Sequence, residues 1–202
     1  MKAVLKSIAL AAVLVSSTAS ATVLNSLVHA DDNFVAYIST SDSVAGDDFS
    51  QGWHWEDGVI GTTNLLKGQD YFLHIFVTDT WEKAGLLGQF SLADSTHQFA
   101  NGGQTLLTNT TDWMGNNSGF NGNYTALGGY GLNGSTPWRP LNDTASGAEW
   151  IWAGDQFWAD NAYFTTKISA VKDADVPEPG SLALLGLGLA GCGAFVRRRR
   201  QA

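Results

Sequence analysis

Residues 51–58 (QGWHWEDG) concentrate the residue types in this chain that could do chemistry. In an extended backbone side chains alternate, so Trp53 and Trp55 would project from one face, with His54, Glu56 and Asp57 beside them. Flat indoles next to carboxylates suit sugar recognition: the ring covers the apolar face of a sugar and the acceptors take its hydroxyls. The same two indoles would equally serve to plug the end of a hydrophobic core. A second group, Asp42, Asp47 and Asp48 around Gly46, offers hard oxygen ligands on a polar loop, with Asp31 and Asp32 within possible reach. That donor set points to Ca2+, although its spacing is not that of an EF-hand loop.

Catalytic constellations are harder to find. The four histidines, His29, His54, His74 and His97, are scattered, and neither His-Glu-x-x-His nor Gly-x-Ser-x-Gly occurs. Glu56 and Glu149 are a conceivable glycosidase pair, but the separation that defines such a mechanism is not readable from sequence. The expectation is a protein that is not an enzyme.

The elements that must hold these residues read as strands. Asn33–Ser39 alternates Phe34, Ala36 and Ile38 against Val35 and Tyr37, and Tyr71–Thr78 is apolar on both faces, as a central strand is. His74, inside that strand, reads as a satisfied core residue. Residues 88–92 and 162–169 read as further strands, the latter with Phe164 and Ile168 facing one way. Trp150 and Trp152 alternate with Ile151, which predicts two indoles on one face. Residues 39–49 and 116–134, rich in Gly, Asn, Asp and Ser, read as loops. Lys67-Gly68 reads as a turn, and Ala84-Gly85 as a place where backbones approach closely. Many short strands with Gly-rich connections predict an all-β, antiparallel sandwich or jelly roll.

The two ends have a different character. Lys2 and Lys6 precede an apolar run, and Ala19-Ser20-Ala21 gives the small-x-small site of signal peptidase, so residues 1–21 read as a secretory signal peptide. Residues 181–196 are uncharged and apolar or small, long enough for roughly 24 Å of helix. Arg197, Arg198, Arg199 and Arg200 follow and would stay on the cytoplasmic side, which predicts a single membrane crossing before processing. Just ahead, Pro177-Glu178-Pro179 forbids helix and imposes an extended segment within a linker at residues 173–180.

Between the ends, residues 22–172 have the length of one domain. Cys192 is the only cysteine, so this body has no disulfide. Residues 22–176 carry 18 acidic against five basic side chains, a net charge of −13. Nucleic acid is excluded as a partner by that balance, whereas neutral sugars and divalent cations are compatible with it.

Pro-Glu-Pro, a Gly-rich apolar helix and a terminal Arg cluster, in that order, resemble the PEP-CTERM sorting signal. The resemblance implies a Gram-negative producer of exopolysaccharide. In it the membrane protease exosortase cuts near Pro177-Glu178-Pro179 and releases the body to the surface. A gapped series within residues 30–153 (ADDNFVAYIS, the stretch from NLLKGQDYF to GLLGQFSL, TTDWMG, TPWRP and EWIWAG) resembles the galactose-binding-domain-like β-sandwich. Residues 39–49 depart from that pattern by a longer loop, which leaves ligand identity open. Together these readings predict an exported surface or matrix protein that binds exopolysaccharide. The alternatives are a purely structural biofilm matrix protein and a secreted polysaccharide hydrolase.

Overall fold

A computed structural model describes residues 21–80, 83–157 and 161–172. The chain divides into two units, 1–171 and 172–202, and the fold described here is that of the first. Ala19, Pro177 to Pro179, the segment 181–196 and Arg197 to Arg200 lie outside the described residues, whereas Ala21 opens the first strand. Among the described residues no helix is long and apolar enough to cross a membrane.

Twelve strands follow in chain order: β1 (Ala21–Asp31), β2 (Asn33–Ser39), β3 (Asp47–Gly52), β4 (Val59–Leu66), β5 (Tyr71–Thr78), β6 (Gly85–Leu92), β7 (His97–Phe99), β8 (Thr105–Leu107), β9 (Met114–Asn116), β10 (Gly128–Leu132), β11 (Glu149–Trp152) and β12 (Asn161–Ala170). They form two six-stranded antiparallel sheets. The first has the order β10-β11-β6-β1-β4, with β8 also on β6; the second has the order β3-β2-β5-β12-β7, with β9 also on β12. The all-β, antiparallel sandwich expected from the sequence is what the chain forms.

Alternation does most of the work. In β2, Phe34, Ala36 and Ile38 are buried in the core while Val35 and Tyr37 face outward, half-buried. In β5, Leu73, Ile75 and Val77 point inward. They meet Leu24 and Val28 of β1, Leu86 and Phe90 of β6 and Phe164 of β12 in one continuous cluster. Apolar area removed from water at about 25 cal/mol per Å² is the main stabilising term in such a cluster.

Three local readings are corrected. Residues 39–49 are a loop only as far as Gly46, after which β3 begins, and residues 128–132 inside the Gly-rich stretch form β10. Both are edge strands, where one side is open to solvent and a strictly apolar pattern is not needed. Trp150 and Trp152 do not share a face: Trp152 enters the main core against Phe164 (5.8 Å between rings), and Trp150 joins a second cluster. Trp152 is the last residue of β11, and the β10–β11 ladder shifts register between Gly129 and Leu132, with the extra residue on β10.

That second cluster, Leu87, Trp138, Leu141, Ala148 and Trp150, lies on the outer face of the first sheet. Trp138 stacks on Trp150 with ring centroids 4.2 Å apart and planes 15° from parallel. A Cβ on Gly85 would stand 2.7 Å from Trp138 and 2.8 Å from Trp150, so only glycine lets the stacked indoles rest on the strand. Gly68, at φ +83°, makes the turn expected before β5.

Candidate functional site

Residues 53–58 turn rather than extend, so Trp53 and Trp55 part company. Trp53 is 70% exposed. Trp55 is half-buried with its edge toward Trp150, ring centroids 6.5 Å apart. His54 and Asp57 are exposed, and His54 stacks on Trp55 at 6.5 Å with planes 17° apart. The backbone N–H of Glu56 donates to His54 Nδ1 at 3.3 Å, which leaves the ring proton on Nε2. Arg139 lies over the Trp55 ring at 5.8 Å and pairs with Glu56 at 3.1 Å. The loop is thus pinned through Trp55 and leaves Trp53 free at its tip.

A fully buried histidine fastens this loop from below. His29 stands on the outer face of β1, and its Nδ1 is 2.9 Å from the carbonyl oxygen of Trp55, a geometry in which Nδ1–H donates. Its Nε2 lies 3.2 Å from Asp143 Oδ1, within ion-pair distance but without hydrogen-bond alignment. Asp143 borders two spaces. One is a hollow of about 480 Å³ lined with Glu56, Arg139 and Pro140. The other is a groove of about 760 Å³ on the outer face of the first sheet, where Gly58, the last residue of the QGWHWEDG segment, also contributes. Glu149 stands on β11 with its carboxylate against Gly129, while Glu56 pairs with Arg139.

The acidic residues are arranged differently from the sequence expectation. Asp42 accepts hydrogen bonds from Thr165 Oγ1 (2.5 Å) and His74 Nε2 (3.2 Å), and so ties the β2–β3 loop to the outer face of the second sheet. Asp47 and Asp48 are exposed on β3, opposite Ile38 and Tyr37. Asp42, Asp47 and Asp48 are not gathered at ligating distance. Instead Asp31, Asp32 and Asp79 hold carboxylate oxygens within 4.8 Å of one another, the one such group among the described residues. Their donor set is of the kind that holds a hard cation. Trp138 Nε1 donates to Asp31 Oδ2 at 2.9 Å, and Thr80 donates to Asp32 through both N–H and hydroxyl. Burial raises the pKa of Asp31 to about 7; the Trp138 bond works against this, and the charges of Asp32 and Asp79 add to it.

His74 is fully buried, as expected, and caught between Asp42 and the ring of Phe120, which stacks on it at 4.8 Å. Trp113 and Trp138, the other indoles in Gly-rich loop sequence, are 1% and 2% exposed and belong to the cores. The groove itself escaped the sequence reading, because strands far apart in the chain bring its residues together.

Residues 175–200 match the PEP-CTERM protein-sorting motif. No curated protein and no solved structure matches the chain. The body is a β-sandwich, and its likeness to galactose-binding domains rests on the sequence resemblance alone. The motif marks the protein for export, for recognition by exosortase and for placement at the cell surface or outside the cell.

Proposed function

We propose that the exported body is a non-catalytic carbohydrate-binding module that acts on the exopolysaccharide at the cell surface or in the matrix. The observation that carries this reading is Trp53, an indole 70% exposed at the tip of a loop anchored beneath by Trp55, His29 and the Glu56–Arg139 pair. A large exposed aromatic on a fixed support presents a flat apolar face, and a sugar ring is a partner of matching shape. Its neighbours supply polar contacts: the His54 Nε2–H as donor and the Asp57 carboxylate as acceptor. Membrane attachment through the segment 181–196 precedes exosortase processing in this reading, and signal peptidase removes the front.

A structural matrix role, the second reading, has one observation in its favour. The edge strand β4 (VIGTTNLL) carries no charge, and its Ile60 and Leu66 are 76% and 55% exposed. Long uncharged edges pair with other chains. The deciding experiment is Trp53→Ala, followed by polysaccharide pull-down and a denaturant melt. The binding reading expects affinity to fall with stability changed by no more than ~0.5 kcal/mol. A parent protein without glycan affinity that self-associates in sedimentation would establish the structural reading. Release of reducing ends from the host's own polysaccharide would establish a hydrolase.

A further inference from the structure

We infer that the groove on the outer face of the first sheet is a binding cleft for an internal stretch of an uncharged, linear polysaccharide. This rests on the carbohydrate reading above and goes beyond it, to a second set of residues and a ligand class.

The ladder registers build the cleft floor. Asn25 of β1 faces Ser91 of β6, and Ser91 faces Thr105 of β8, which places three polar side chains in one line across the strands. None of the three side chains is engaged in a hydrogen bond among the described residues, and all three line the groove. Two residues along each strand, on the same face, runs a second line. Ile60 of β4 faces Leu27, Leu27 faces Gln89, and Gln89 faces Leu107. A period of two keeps each line on its side of the groove, so a polar stripe and a largely apolar stripe lie side by side.

The wall stands along the apolar stripe. The Ala145 N–H donates to Gln89 Oε1 at 3.0 Å, and Gln89 Nε2 donates to the Asp143 carbonyl at 3.3 Å, so one amide pins the 143–145 loop to the floor. Behind it the buried His29 holds the Trp55 carbonyl. Floor and wall are therefore preformed, which removes the ordering cost that a mobile site would impose on binding.

Three features select the ligand. The pairing of apolar and hydroxyl- or amide-bearing stripes matches a sugar ring, which has C–H faces and hydroxyl edges. Asp143 is the only charged residue in the lining, no cation is present in it to meet a uronate, sulfate or phosphate, and a body of net charge −13 repels polyanions. The apolar stripe runs from β4 to β8, three strand spacings or about 14 Å, and the polar stripe from β1 to β8. β4 and β8 are each paired on one side only, so both ends of the cleft open at sheet edges and a long chain can enter at one and leave at the other.

Isothermal titration of the full chain in mild detergent tests this, with cellohexaose, laminarihexaose, mannohexaose and hexagalacturonate as probes. At least one neutral hexasaccharide should bind, its disaccharide at least tenfold more weakly, and hexagalacturonate not at all. Asn25→Ala and Leu107→Ala should each weaken that binding about fivefold or more, and Ser91→Trp, which fills the cleft, should abolish it. Circular dichroism melts on each variant separate loss of ligand from loss of fold. Binding that survives the three cleft variants but is lost in Trp53→Ala overturns the cleft while the carbohydrate reading stands. No binding of any neutral probe overturns both. Tighter binding of hexagalacturonate, or a Ser91→Trp variant that loses only self-association, overturns the ligand class.

Discussion

The two outer faces of the sandwich are built on the same antiparallel scaffold and end up in opposite states. On the second sheet, the outward rows offer Phe76 opposite Tyr163 and, two residues along, His74 opposite Tyr37, with Phe72 beyond. The Gly-rich loop after β9 folds onto this surface. Phe120 stacks on His74 at 4.8 Å and meets Tyr37 and Tyr163 edge-on at 5.6 and 5.0 Å. Asp42 closes the other flank through His74 and Thr165. On the first sheet the loop around Trp138 covers only the part where Leu87 and Trp150 point outward, and stops at Gln89. Beyond it Asn25, Ser91 and Thr105 form a polar row, and Ile60 and Leu27 beside that row stay uncovered. A loop closes over a face only where the outward row supplies enough apolar surface to offset the entropy of ordering it. The open half of the first sheet, where a polar row lies beside a narrow apolar stripe, is the half that remains available to a ligand.

The largest test of this contrast is Trp150→Ala. Trp150 has no solvent exposure and stacks on Trp138, so truncation loses a fully buried ring and leaves a cavity, at about 3–5 kcal/mol. Phe120→Ala on the opposite face removes a ring that is only half-buried, and about 1–2 kcal/mol is expected. Denaturant melts of the two variants compare the two closures directly. Equal losses would mean that the Phe120 loop is as much a core as the Trp138–Trp150 stack.

Asp42→Ala comes next. It deprives the buried His74 Nε2 and the Thr165 hydroxyl of a shared acceptor and should cost about 1–3 kcal/mol. The same substitution at Asp47, exposed on β3, should change stability by no more than ~0.5 kcal/mol. A Ca2+-dependent melting temperature lost in both variants would show instead that the three loop aspartates share a cation.

The sequence displayed those parts of the fold whose information is local. Asn33–Ser39, Tyr71–Thr78 and residues 162–169 announce themselves because central strands need an apolar residue at every second position or at all of them. The edge strands β3, β4 and β10 were not legible, since residues such as Thr62, Asn64 and Gly129 serve an edge as well as a loop. Trp53 was visible as a candidate, but its separation from Trp55 was not. The turn at residues 53–57 depends on the anchoring of Trp55 by Trp150 and His29, which are distant in the chain. The groove was invisible for the same reason: Asn25, Ser91 and Thr105 become neighbours only through ladder register. Asp31, Asp32 and Asp79 meet only because β5 runs beside β2.

The last test concerns Asp31, at the end of β1 opposite Gly85 and beneath the covering loop. Its carboxyl receives the Trp138 indole N–H, so it supports the covering loop, yet burial and the charges of Asp32 and Asp79 disfavour its ionised form. With its pKa raised to about 7 in the folded chain against 3.8 for an ordinary Asp, the folded state binds the proton more tightly than the unfolded state does. The stabilisation from protonation is therefore complete below about pH 3.8 and is lost as pH rises through about 7. Asn at this position keeps an oxygen acceptor for Trp138 and carries no charge at any pH. Asp31→Asn should accordingly melt above the parent at pH 8 by a few degrees, on a scale of about 2–4 °C per kcal/mol for a domain of this size, with the gap narrowing toward pH 4. Thermal melts from pH 4 to 9 with chelator present, so that no cation takes the place of the proton, make the comparison. A gap of the same size at every pH would assign the effect to packing rather than charge. A destabilised variant at pH 8 would mean that the ionised carboxylate, through its stronger bond to Trp138, is what holds the covering loop in place.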